Sequence, residues 1–123
     1  MAELKKLKQG EILFTEGDPS KSMYIVKAGR LIVFQGKGST EVQLGDVGPD
    51  EVVGEMAYFD RKPRSASVKA KMYSEVLELS YKSLETQFDA LPNWIQALVK
   101  SINEHLRQAN ARIQELENQK KFS

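Results

Sequence analysis

The sequence predicts a mainly β fold with helices at its C-terminal end, and three observations carry that expectation. All eight glycines fall between Gly10 and Gly54. Glycine marks turns and tight backbone approaches, so the first half reads as turn-rich β structure. Between the glycines lie short runs rich in β-branched and aromatic residues, as in a barrel or sandwich rather than a parallel α/β sheet. From Ser80 onward the apolar residues recur at helical spacing. The 123 residues suit one domain with one core.

The strands follow in order. Glu11 to Thr15 runs into Gly17-Asp18-Pro19-Ser20, a turn cluster in which proline presets φ. Ser22 to Val26 and Leu31 to Phe34 flank Lys27-Ala28-Gly29-Arg30, which reads as a hairpin with Gly29 at positive φ. Gly36-Lys37-Gly38-Ser39 is a second loop, and Glu41 to Leu44 alternates polar and apolar like a half-buried strand. Val52-Val53, Ser65 to Ala70 and Glu75 to Leu79 supply three further strands. Ser80 suits the N-cap of a short helix that turns Leu84 and Phe88 inward and ends before Pro92.

Pro92 suits the first turn of a second helix, free of Gly and Pro to about Gln119. Ile95, Val99, Ile102, Leu106, Ala109, Ile113 and Leu116 alternate spacings of four and three. That is a heptad seam with Val99, Leu106 and Ile113 at a. At ~1.5 Å per residue such a helix spans ~40 Å, longer than a small domain is wide, so it projects and needs a partner. A second copy in a parallel homodimer is the simplest partner, with Arg112 at g and Glu117 at the following e suited to each other across it. Packing on the chain's own β part accounts for the first two turns only. Trp94 and Phe88 are expected to pack the helical part against the strands, and His105 at g to be a solvated flank of the seam. The expected division is therefore residues 1–91 for the β part and 92–123 for the long helix.

Composition narrows the function. There are 18 Lys and Arg against 17 Asp and Glu, one His and no Cys, for a formal charge of +1. A near-neutral surface gives no electrostatic reason to wrap nucleic acid or adhere to a membrane. The missing cysteines exclude disulfides and thiolate chemistry, and a reducing cytoplasm is the expected location. The opening Met1 to Lys6 has no apolar segment behind its charges, and no run approaches the ~18 apolar residues of a membrane span.

The stretch that carries chemistry runs from Val53 to Val68. A strand ends at Val53, Gly54 permits close backbone approach, and a short helical turn follows with its free N–H groups directed back toward the glycine. Such a terminus attracts anions through its orphan donors and its dipole. Nine residues after Glu55 stands Arg64, held by Pro63, whose planar fork of donors fits two phosphate oxygens. Glu55 is out of place beside an anion unless the ligand also offers hydroxyls, as a phosphate beside a ribose does. The plainest alternative is a Glu55–Arg64 surface salt bridge, which contributes little. Of Tyr58 and Phe59, one is expected in the core. Asp60-Arg61-Lys62 reads as a solvated tip.

Gly54-Glu55-Met56-Ala57, a short insert, then Pro63-Arg64-Ser65-Ala66-Ser67-Val68 resembles the phosphate-binding cassette of cyclic nucleotide-binding domains. The resemblance extends through Gly10-Glu11-Ile12, Glu16-Gly17-Asp18, Tyr24-Ile25-Val26, Gly29 and Leu31, and on to Glu78-Leu79-Ser80, covering about Gly10 to Asn110. It implies a double-stranded β-roll, jelly-roll-like, with flanking short helices and a long C-terminal dimerisation helix, the length of which resembles the bacterial catabolite-activator branch. It further implies that Gly54, Met56 and Ala57 contact phosphate and ribose through their backbones. Glu55 would accept the 2′-OH and Arg64 would grip the cyclic phosphate. Ser65 matches the position whose hydroxyl reaches the phosphate or the purine edge, with Ala66 beside it. The base would meet the long helix near Ala109 and Asn110, the latter able both to donate and to accept. Two departures stand out: Val53 replaces the usual aromatic, and Ala109 stands where the catabolite-activator branch tends to carry a hydroxyl. The chain ends after Lys120-Lys121-Phe122-Ser123 without a helix-turn-helix pattern, so DNA binding is not expected from it.

The expected function is thus a non-catalytic sensor of cAMP, with cGMP also possible, and with no cofactor and no metal. Glu55 is the only acid within the cassette match proper and its implied task is to hold a sugar. The sequence shows no nucleophile elbow, phosphate-binding Walker loop or metal-ligand spacing. Two other classes remain: a dimerisation scaffold with an unused pocket, or the regulatory fragment of a larger enzyme, channel or transcription factor.

Overall fold

The computed structural model describes residues 2–55 and 62–122, without the side chains of residues 114 and 117–122. Among the described residues, eight strands precede two α-helices: β1 (Glu3–Leu7), β2 (Ile12–Phe14), β3 (Ser22–Ala28), β4 (Leu31–Gln35), β5 (Val42–Val47), β6 (Val52–Val53), β7 (Ser67–Ala70), β8 (Ser74–Ser80), α1 (Tyr81–Asp89) and α2 (Asn93–Phe122). The strands form two four-stranded antiparallel sheets, ordered β1-β8-β3-β6 and β2-β7-β4-β5. This is the mainly β roll with a long C-terminal helix that the sequence predicts. By contact density the chain divides into residues 1–85 and 86–123.

The core of the first unit draws on both sheets. Leu7, Tyr24, Val26, Val53 and Val76 come from one; Leu31, Val47, Val68 and Ala70 come from the other. Each fully buried aliphatic side chain here, such as Leu31 or Val26, contributes ~1.5–3 kcal/mol relative to exposure. Pairing is in register along β8, where Tyr24 faces Glu78 and Val26 faces Val76, so the β3 residues that point inward meet inward residues of β8.

Three strand expectations need correction. The segment around Gly29 is not a hairpin, because β3 pairs with β6 and β8 whereas β4 pairs with β5 and β7. Gly29 has the expected positive φ of 86°. Its turn nevertheless carries the chain from one sheet to the other, so closely that a Cβ there would lie 2.5 Å from the Tyr73 carbonyl. The second correction is β1, which the alternation pattern does not reveal. Lys5 lies on the same face as Tyr24 and Glu78, its Nζ 3.2 Å from Glu78 and 5.9 Å from the centre of the Tyr24 ring. Only Leu7 of this strand is buried, which leaves no period-two pattern to read. Third, β5 begins at Val42 with Val42 and Leu44 exposed, since the irregular register opposite Val33 and Phe34 skips Leu44.

In the second unit, α2 begins one residue after Pro92, whose carbonyl accepts from Ile95 N at 3.0 Å and Gln96 N at 3.2 Å. The Gln96 side chain reaches back to the Leu91 carbonyl at 2.9 Å, tying the linker to the helix. Trp94 is 69% exposed. Ile102, Leu106, Ile113 and Leu116 of the seam are also exposed, as is His105. Arg112 is described but the Glu117 side chain is not, so their pairing lies outside the described residues. No helix among the described residues is long and apolar enough to cross a membrane.

Candidate ligand-binding site

Arg64 occupies the centre of the site. Its backbone is fastened to the Thr15–Asp18 turn at two points, since Arg64 N donates to the Asp18 carbonyl and Gly17 N donates to the Arg64 carbonyl, both at 2.9 Å. The turn is itself closed by Asp18, whose carboxylate accepts from Thr15 N at 3.1 Å, and held to β7 by Ser67 Oγ, which accepts from Glu16 N at 2.8 Å. The side chain then runs inward over Phe14, placing the guanidinium carbon 4.0 Å from the ring centre.

Only 5% of Arg64 is exposed. Its Nη2 donates to the Ser22 carbonyl at 2.7 Å, and Nη1 lies 3.4 Å from both the Gly54 carbonyl and the Tyr81 hydroxyl. Its Nε has no hydrogen-bond partner among the described residues. Nor, among those residues, does a carboxylate pair with it, so the Glu55–Arg64 salt bridge is not formed. A buried guanidinium surrounded by neutral oxygens is an unbalanced charge, and an anion with hydrogen-bond acceptors is what balances it.

Gly54 makes this arrangement possible. Its φ is +88°, and a Cβ there would stand 2.6 Å from Arg64 Nη1. The close approach inferred at this glycine is therefore made by the arginine. Gly54, Glu55, Arg64, Ser65 and Ala66 line one open pocket of about 140 Å³ over an apolar floor that includes Val33, Val53 and Val68. Five of the nine sequence-predicted residues thus come together. Met56 and Ala57 lie outside the described residues, as do Tyr58, Phe59, Asp60 and Arg61. Ala109 and Asn110 are exposed on α2, in the second unit.

The sequence gives no hint of the second layer. Ser20 and Tyr81 hydroxyls are hydrogen-bonded to each other, and Tyr81 donates to the Gly54 carbonyl at 2.7 Å. Behind Ser22, Tyr24 donates to Glu78 at 3.2 Å. Burial, reinforced by the Glu78 charge, pushes the Tyr24 phenol up to about 12. Burial acts to raise Glu78 too, but the hydrogen bonds from Ser22 and Lys5, the Lys5 charge and the Tyr24 hydroxyl outweigh it and hold the carboxyl below its ordinary range. Among the described residues, no cluster of His, Asp or Glu could hold a metal ion.

Known proteins resemble this chain in sequence and in fold. The Cyclic AMP receptor protein of Thermus thermophilus is 32% identical over 103 residues, which are 83% of this chain and 48% of that protein. The chain thus spans about half the length of that relative. The crystal structure of the Thermus thermophilus Catabolite Activator Protein superposes with a TM-score of 0.76 at 29% identity, covering 94% of this chain and 55% of that one. The cAMP-bound form of the EAL enzyme Bd1971 matches with a TM-score of 0.70 at 30% identity over 95% of this chain and 32% of that one. Its cGMP-bound form gives 0.72 at 28% over the same shares. The model for the cyclic nucleotide-binding domain matches residues 4–90, a span that holds the roll, the pocket and the buried arginine, and the chain belongs to that family.

Proposed function

We propose that this chain is a non-catalytic cyclic nucleotide sensor with cAMP as its ligand and cGMP as an alternative. The observation that carries this reading is Arg64: a buried cation without a described carboxylate partner, lining a pocket that also holds Glu55. Arg64 takes the cyclic phosphate, and Glu55 accepts the ribose 2′-OH. Gly54, Met56 and Ala57 contribute backbone contacts, with Ser65 and Ala66 at the phosphate side. A related solved protein binds cAMP in one structure and cGMP in another, which supports both ligands.

The pocket of about 140 Å³ is smaller than the ~300–1,000 Å³ of whole small-molecule sites, so it suits phosphate and sugar and leaves the base to another surface. Ala109 and Asn110 of α2 are that surface in this reading. For a signal to result, ligand must favour one arrangement of α2 over another. The exposed seam from Ile102 to Leu116 supports a parallel homodimer as the element that responds. A sensor of this kind works in the cytoplasm as the regulatory part of a larger assembly.

Calorimetric titration with cAMP, cGMP and a cyclic dinucleotide tests the reading. Saturable heat with a cyclic mononucleotide supports it, and ~100-fold ligand excess over the dissociation constant should then add ~2.7 kcal/mol of stability. No heat and no thermal shift with all three would leave a dimerisation scaffold in its place.

A further inference from the structure

The hydroxyl of Tyr81 joins the two halves of the pocket, although none of the ligand-contact assignments includes it. Tyr81 is the first residue of α1 and only 7% exposed. Its backbone is fixed, with N donating to the Lys21 carbonyl at 2.8 Å while Ser80 Oγ caps the same helix by accepting from Ser83 N at 3.1 Å. The phenolic oxygen meets three groups: the Gly54 carbonyl at 2.7 Å, Arg64 Nη1 at 3.4 Å, and Ser20 Oγ.

Counting protons settles the directions. A phenol has one proton to donate, and a carbonyl can only accept, so that proton goes to Gly54. Arg64 and Ser20 must then both donate to the phenolic oxygen. Tyr81 therefore presents an acceptor to the cation and a donor to the glycine carbonyl from one atom. Among the described residues, the hydrogen bonds at these two groups come from no other side chain that reaches both.

We propose that Tyr81 is a positioning residue of the anion pocket: its hydroxyl holds the Gly54 backbone and the Arg64 fork at a set separation before ligand arrives. Ordering a long, rotamer-rich side chain in advance lowers the cost of binding. The consequence for affinity rests on the cyclic nucleotide reading above, whereas the positioning itself does not.

Two measurements on the full chain separate these. In the ligand-free protein labelled with nitrogen-15, hydrogen exchange at the Arg64 Nη1–H group, which donates to the phenol, should quicken about tenfold in Tyr81→Phe, as expected for losing a hydrogen bond to a charged group. Equal exchange in both proteins overturns the proposal. With cAMP, Tyr81→Phe should weaken binding by a similar factor, and this loss should shrink in an Arg64→Lys background because both changes act through the same fork. Equal loss in the two backgrounds also overturns it. If Tyr81→Phe fails to fold, Ser20→Ala removes only one donor to the phenol, and it should shift both readouts in the same direction by less; no shift in either counts against the role. A wild-type chain that binds no cyclic nucleotide rejects the functional reading alone, and the exchange measurement still decides the part played by Tyr81.

Discussion

The roll and the long helix treat their apolar residues in opposite ways. In the roll, strands from two sheets bring Leu31, Val26, Val68 and Val76 fully out of water, and Arg64 is the one charged residue buried among those described. In α2, the seam residues Ile102, Leu106, Ile113 and Leu116 stay exposed. One region buries its central apolar side chains; the other leaves its seam exposed. Each can be attacked separately.

The sharpest contrast comes from the core. Leu31→Ala should cost ~2–5 kcal/mol in chemical denaturation, because the closed interior can collapse only in part around the missing side chain. A loss under ~1 kcal/mol would mean that the roll is less tightly packed than its burial indicates. Arg64→Ala should weaken cAMP binding by about 100-fold or more, the usual scale for removing one partner of a desolvated charge pair. Binding that survives undiminished would show that the ligand, if any, binds elsewhere.

Leu106→Lys should shift the chain to monomer in sedimentation velocity while changing the stability of the roll by no more than ~0.5 kcal/mol. If the oligomeric state is the same for both proteins, the seam is not the dimer contact. The smallest effect concerns the Lys5–Glu78 pair at 3.2 Å. Since the Glu78 carboxyl is held low in the folded state, its contribution is full above the ordinary carboxylate range and is lost as pH falls through the folded value. Lys5→Ala should therefore be less stable than wild type near neutrality, with the two melting curves converging in acid. Parallel curves across that range would assign the difference to packing instead.

Legibility in the sequence followed distance along the chain. Gly54, Glu55 and Arg64 lie within ten residues of each other, so their spacing could be read directly, and the structure brings them to one pocket. Tyr81 and Ser20 are separated by 61 residues, and only folding shows that their hydroxyls meet. The strand β1 is hidden because four of its five residues are exposed and only Leu7 is buried, so no alternation marks it. Gly29 announced its positive φ correctly, but φ alone does not distinguish a hairpin from a crossing between sheets.

The two-point backbone attachment of Arg64 to the Thr15–Asp18 turn bears on how such a site can diversify. The aim of the arginine is set by a turn early in the chain and not by the number of residues that separate it from Glu55. Loops of different length or chemistry could be spliced between residues 55 and 64 while Arg64 kept its station. The site behaves as a fixed bracket with an exchangeable fitting.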